Sequence, residues 1–151
     1  MPASNCAAPR SILVVEDHDL SASLILELLR SAFPVAALHR AASAGTGLVE
    51  FARLRPALLV VDIGLPDRCG LDMTRCIAAL DPAAPVVIYS AQDSAVIREG
   101  AAAAGARAFV SKNNPGELLE VVTRLLAAVG GVENSPQDLP DRPTDAERRG
   151  S

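Results

Sequence analysis

Four short apolar segments of this sequence each run out into a group that can do chemistry. Residues 11–16 end in Glu16, with Asp17 next; the run after Pro56 ends in Asp62; residues 85–90 end in Ser90; and residues 107–111 are followed by Lys112. Singly, each has a plain structural use, since acids cap helices, hydroxyls satisfy backbone and lysines face water. Jointly they bring acid, acid, hydroxyl and amine to one crevice. Three carboxylates within a few ångströms repel one another unless a divalent cation neutralises them. Their hard oxygens, with room left for water, suit Mg2+. Beside such an ion a carboxylate acts as a nucleophile. The ammonium of Lys112 and the hydroxyl of Ser90 then stabilise oxygens of an incoming phosphoryl group. The chemistry these residues imply is acceptance of a phosphoryl group on Asp62, with Mg2+ as the required ion.

For those groups to meet, their segments must share one edge of a sheet. Residues 11–16, 57–61, 85–90 and 107–111 are short apolar runs of the kind buried on both faces of a parallel sheet, and residues 35–41 form a weaker run suited to an outlying edge. Between them lie helical patterns. Asp19 can cap the first, with Leu20, Leu24, Leu28, Ile25 and Leu29 at helical spacing to about Ala32 before Pro34. Ser43 can cap the second, which Pro56 ends. The third covers 71–80 with Met73, Cys76, Ile77 and Leu80 on one side. Asp93 or Ser94 caps an alanine-rich helix over 95–104, after which Gly105 suits the position past its end. Asn114 as cap and Pro115 as first helical residue open the last helix, to about Val129. Five strands alternating with five helices through short connections predict an α/β fold, a doubly wound five-stranded parallel sheet. In such a sheet every strand's carboxyl end lies at the same edge, where ligands bind. Residues 1–10 read as a flexible leader. Residues 130–151, with Gly130-Gly131 and three prolines among acids and arginines, read as a flexible tail or interdomain linker.

Composition narrows the function classes. The net charge of −4 and an aromatic content of 3% leave no basic footprint and no stacking platform for nucleic acid. Three cysteines without CxxC spacing indicate neither a disulfide framework nor a zinc site. No signal peptide or membrane span is legible, so a cytoplasmic location is expected. Gly45 and Gly47 lack the third glycine of a nucleotide-binding fingerprint. Lys112 is the single lysine beside thirteen arginines. Codon preference accounts for that, and so does a position arginine cannot fill; composition leaves both open.

The constellation resembles the receiver domain of two-component response regulators, over residues 11–129. It rests on Glu16-Asp17 after strand one, Asp62 with Leu65-Pro66-Asp67 and Gly70, Ser90-Ala91 after strand four, and Phe109-Val-Ser-Lys112 at strand five. The resemblance implies a flavodoxin-like sheet with strand order 2-1-3-4-5. It implies that Asp62 is the phosphoacceptor, that Asp17, Asp62 and the Gly64 carbonyl bind Mg2+ directly, and that Glu16 acts through water. Ser90, Ala91 and Lys112 hold phosphoryl oxygens, and Ser90 and Phe109 form the switch. From the residues alone Phe109 reads first as core filler on strand five. The resemblance favours a functional reason for the lone lysine, since a compact ammonium fits where a guanidinium fork does not. The partner implied is a histidine kinase or phosphotransfer protein, and the output face is strand five with the last two helices, a surface for a homodimer.

The sequence departs from the family at Glu16, where aspartate is commoner, and at Asn113, where proline often stands. The run Lys112-Asn-Asn-Pro-Gly-Glu-Leu-Leu, with His18 after the acids, looks closest to the subfamily that often carries a C-terminal helix-turn-helix. Residues 130–151 are too short for that module, so the expectation is either a single-domain regulator or the receiver portion of a transcriptional regulator. Another is a receiver-like scaffold independent of phosphate, which the intact acids, Ser90 and Lys112 disfavour. A hydrolase using Asp62 as nucleophile needs a second acid two residues on. Gly64 stands there instead, so turnover catalysis is not expected.

Overall fold

The structure, a computed structural model, describes residues 10–134. Its elements run β1 (Ser11–Val15), α1 (Asp19–Ala32), β2 (Ala37–Ala41), α2 (Ala44–Leu54), β3 (Leu58–Val61), α3 (Gly70–Leu80), β4 (Val86–Ser90), α4 (Ala95–Ala104), β5 (Ala108–Ser111) and α5 (Pro115–Asn134). All strand pairings are parallel, in the order β2-β1-β3-β4-β5. The doubly wound five-stranded sheet expected from the sequence is therefore the fold.

The period-two geometry of a strand explains why the strand sequences read as unbroken apolar runs. Alternate residues serve two cores. Leu13, Val15, Leu59, Val61, Val86 and Ile88 point to the side covered by Phe51 of α2, Met73 and Ile77 of α3 and Ala101 of α4. Ile12, Val14, Leu58, Val60, Val87 and Tyr89 point to the side covered by Ile25 and Leu29 of α1 and Leu118 and Val122 of α5. β2 pairs with β1 alone and is half-buried over most of its length, as an edge strand should be.

Ser43 and Ser94 cap α2 and α4, their hydroxyls accepting from Thr46 N and Ile97 N. Gly105 leaves α4 in the left-handed conformation, at φ +106°, where other residues are strained. Asn114 Oδ1 accepts from Glu117 N at 3.4 Å at the start of α5.

Four details differ from the sequence reading. Asp19 is the first residue of α1 and does not cap it; His18 precedes the helix without a side-chain cap, and Asp19 is drawn instead into an ion pair with Arg40. The buried stripe of α1 is Ala22, Ile25 and Leu29, while Leu20 and Leu24 are exposed, because the line of contact with the sheet falls beside the leucine row. Leu80 is likewise exposed at the end of α3. α5 continues past Val129 to Asn134: glycine weakens a helix by roughly 1 kcal/mol without forbidding it, and no proline stands before Pro136. The leader at 1–9 and the tail at 135–151 lie outside the described residues.

Candidate functional site

Backbone pairing beyond the strands brings the chemical groups to one edge. Asp62 N donates to Val15 O at 3.0 Å, Glu16 N to Ala41 O at 3.0 Å and Lys112 N to Ser90 O at 2.9 Å. The first residues past β1, β3 and β5 are thus locked in register. Glu16, Asp17 and Asp62 each offer a carboxylate oxygen, and these lie within 4.8 Å of one another. Lys112 Nζ lies beside two of them, 2.5 Å from Glu16 Oε1 and 3.6 Å from Asp62 Oδ2.

Burial and charge distinguish the three acids. Glu16 is buried and Asp17 exposed, with Asp62 between. Burial pushes the Glu16 carboxyl up, but hydrogen bonds from Lys112, the His18 amide and Ser21, with the charge of Lys112, outweigh it and hold the group below its ordinary 4.5. For Asp62 the balance goes the other way. Burial, then the charge of Glu16, push it above its ordinary 3.8, and Asp17 adds to this, against the opposing pull of Lys112 and the Ile63 amide. One ammonium does not neutralise three carboxylates, and its shortest contact is with Glu16. The excess negative charge falls on hard oxygens partly open to water, a donor set that fits Mg2+. Asp17, Asp62 and Glu16 are the residues that can hold such an ion.

The other expected residues are placed less uniformly. Ser90, the last residue of β4, is buried at the same edge, but its Oγ accepts from Gln92 N at 3.0 Å within its own loop. Ala91 is exposed beside it. Gly64 follows Asp62 by two residues and forms an isolated bridge with Cys69 that shapes the loop after β3. A Cβ on Gly64 meets nothing nearer than Gln92 Nε2, at 3.9 Å. Phe109 on β5 is half-buried against the core beside α4.

Gly70 is the tightest point of the loop. A Cβ there stands 2.0 Å from the Asp62 carbonyl oxygen, and Gly70 N donates to Ile63 O at 2.8 Å. The start of α3 is thereby pressed on the backbone that carries Asp62. Asp67 ties the same loop to the start of α2, its carboxylate accepting from Ala44 N at 2.9 Å and Gly45 N at 2.8 Å. Gly45 and Gly47 belong to α2 and serve packing and this tie; Gly47 lies against Val15 and Met73.

Sequence reasoning missed four residues. Ser21 Oγ donates to Glu16 Oε1 and accepts from Lys112 Nζ, both at 3.0 Å. Arg40 gives Nε and Nη2 to the Glu16 carbonyl at 3.0 and 2.9 Å, fixing the peptide just before Asp17. Gln92 lies beside Gly64, and Arg98 covers the Phe109 ring at 4.6 Å. Ser21, one helical turn past the acids, had a positional signal. Arg40, on a strand that reads as peripheral, had none.

Residues 12–123 match the family described as response regulator receiver domain. The probable transcriptional regulatory protein TcrX of Mycobacterium tuberculosis is 31% identical over 119 residues, covering 79% of this chain and 49% of that protein. A two-component response regulator of the LuxR family from Aurantimonas superposes with a TM-score of 0.74 at 29% identity, covering 80% of this chain and 86% of the other. A CheY-like receiver domain protein from Methanospirillum hungatei gives 0.75 at 26% identity, covering 82% and 98%. The chain spans about half the length of TcrX, so the match concerns one part of that regulator. No helix among the described residues is long and apolar enough to cross a membrane.

Proposed function

The chain belongs to the response regulator receiver family, and from that premise we propose that it is a cytoplasmic phosphoacceptor switch, phosphorylated on Asp62 by a histidine kinase or phosphotransfer protein. The observation that carries this reading is the convergence of Asp62 with Glu16, Asp17 and Lys112 at the carboxyl edge of the sheet. Asp17, Asp62 and the Gly64 carbonyl would hold Mg2+, with Glu16 acting through water, and the bound ion would neutralise charge on the acids and on the phosphoryl oxygens.

An Asp62 carboxylate oxygen attacks phosphorus in line. A new O–P bond forms as the P–N bond of the donor phosphohistidine breaks, and the released electron pair stays on the imidazole nitrogen, which takes up a proton. Lys112 turns from Glu16 toward the incoming group, a shift supported by its 3.6 Å distance to Asp62. Ser90 Oγ exchanges its bond from Gln92 N for one to a phosphoryl oxygen, with the exposed amide region at Ala91 alongside. Phe109 then moves inward behind Ser90, altering the face of α4, β5 and α5, through which a homodimer or an output domain is engaged. With no acid at Gly64 to donate a proton, the site is suited to holding its adduct, not to turnover.

The decisive experiment is labelling by a small phosphodonor such as phosphoramidate. One phosphoryl group per chain is expected, dependent on Mg2+ and lost in Asp62→Asn. Equal labelling of Asp62→Asn contradicts the assignment; absence of labelling in wild type favours a phosphate-independent scaffold. The identity with part of TcrX supports a second, compatible reading, in which this receiver controls a transcriptional output.

A further inference from the structure

The loop after β4 and the half-buried Phe109 are joined by a side chain that phosphoryl transfer does not use. Arg98 of α4 places its guanidinium carbon 4.6 Å from the centroid of the Phe109 ring. The same guanidinium grips Asp93 with a fork, Nε to Oδ1 at 2.7 Å and Nη2 to Oδ2 at 3.1 Å. The hydrogen bond and charge of Asp93, with the charge of Glu117 from α5, hold Arg98 firmly protonated. Asp93 follows Ser90 by three residues, with only Ala91 and Gln92 between. In this arrangement Ser90 Oγ accepts from Gln92 N. Phe109 lies on the strand beside Ser90, with Ile88 paired to Phe109 and Ser90 to Ser111.

If Ser90 turns toward Asp62, it gives up the Gln92 bond, and so short a loop passes the displacement to Asp93. The Asp93 carboxylate then pulls on a guanidinium that rests on the aromatic ring. We infer that Arg98 is a positioning residue for the Phe109 switch: by clasping Asp93 to the ring, it holds the arrangement in which Ser90 serves its own loop, and so sets how readily the site closes on a phosphoryl group. The inference rests on the phosphoacceptor reading above. Both partners of the ion pair are partly exposed, Arg98 at 47% and Asp93 at 33%, where such pairs contribute little. An exposed cation–π contact is also modest. The clasp therefore biases the switch by about threefold and does not lock it.

The test uses beryllofluoride, a phosphoryl mimic, with saturating Mg2+ and the intact protein. Arg98→Met keeps the side-chain stem and removes the fork; Asp93→Asn keeps the shape and removes the charge. Both are expected to bind beryllofluoride about threefold more tightly, because less of the protein is held in the non-binding arrangement. The double variant should bind no more tightly than Arg98→Met alone, since the two residues act as one link. Without beryllofluoride, the Phe109 ring resonances should shift in both single variants. Arg98→Lys, which keeps charge but loses the fork, should fall between. Unchanged or weakened binding in both variants, with cooperative thermal melts showing that they fold, overturns the role of Arg98 while wild-type binding sustains the phosphoacceptor reading. Absence of beryllofluoride binding by wild type overturns both together.

Discussion

Asp62→Asn should stabilise the metal-free protein, although it removes the residue on which the proposed chemistry depends. At an effective dielectric of about 20, unit charges at the 4.8 Å limit separating the three acids repel by about 3.5 kcal/mol. Asp62 feels this from buried Glu16 and, more weakly through water, from exposed Asp17. Lys112, at 3.6 Å, returns about 4.6 kcal/mol by the same rule, and it is shared with Glu16. The remainder is a net repulsion of about 1–2 kcal/mol, which an uncharged asparagine relieves. For a domain of this size that is a rise in Tm of about 4–8 °C. Folding raises the Asp62 pKa above 3.8, so the ionised group lowers stability at neutral pH. That loss fades as pH falls through the raised value toward 3.8, and the gap between variant and wild type should narrow in the same window. Glu16 has the opposite sign: its pKa is lowered, so it contributes stability above 4.5 that is lost as pH falls through its lowered value, in both proteins. Mg2+ at ten times its dissociation constant should stabilise wild type by about 1.4 kcal/mol and the variant by less. Calorimetry in EDTA and then in Mg2+ measures all of these. A Tm for Asp62→Asn at or below wild type in EDTA at pH 7, or equal Mg2+ shifts in the two proteins, refutes the idea of unbalanced negative charge at this edge.

Gly70→Ala should reach or pass the ~3 kcal/mol upper range of overpacking, because its Cβ meets backbone at 2.0 Å; a urea midpoint within experimental error of wild type contradicts this. Gly64→Met should leave stability within about 0.5 kcal/mol, having open space, yet slow loss of the phosphoryl group several-fold by shading Asp62 beside Gln92. An unchanged half-life of the adduct removes that role for residue 64.

The sheet and its chemical edge were legible because both follow from local rules. Apolar runs of strand length, punctuated by Pro34, Pro56 and Gly105 and capped by Ser43 and Ser94, leave little choice but alternating strands and helices. Parallel connections then deliver Glu16, Asp17, Asp62, Ser90 and Lys112 to a common edge whatever the details of packing. Phe109 was ambiguous between core and switch for the same reason: a half-buried strand residue satisfies either description.

The tertiary structure decided what local pattern cannot carry. Which row of α1 faces the core depends on the helix's rotation over the sheet, so Ala22 is buried and Leu20 is not. Gly70 looks in sequence like a loop glycine free to turn, yet its reason is the close approach of the Asp62 carbonyl, which a Cβ would meet at 2.0 Å. Asp67 reads as a loop acid, and only the packing of α2 beside that loop gives it two amides to hold. Arg40 and Arg98 are single arginines among thirteen, and their roles arise from partners 24 and 11 positions away in the chain. Sequence alone thus determined the element order and the chemical edge, through periodicity and chain punctuation. The charge balance among the acids, the close approach at Gly70 and the placement of Arg98 on Phe109 depend on distances between elements, which exist only once the chain has packed.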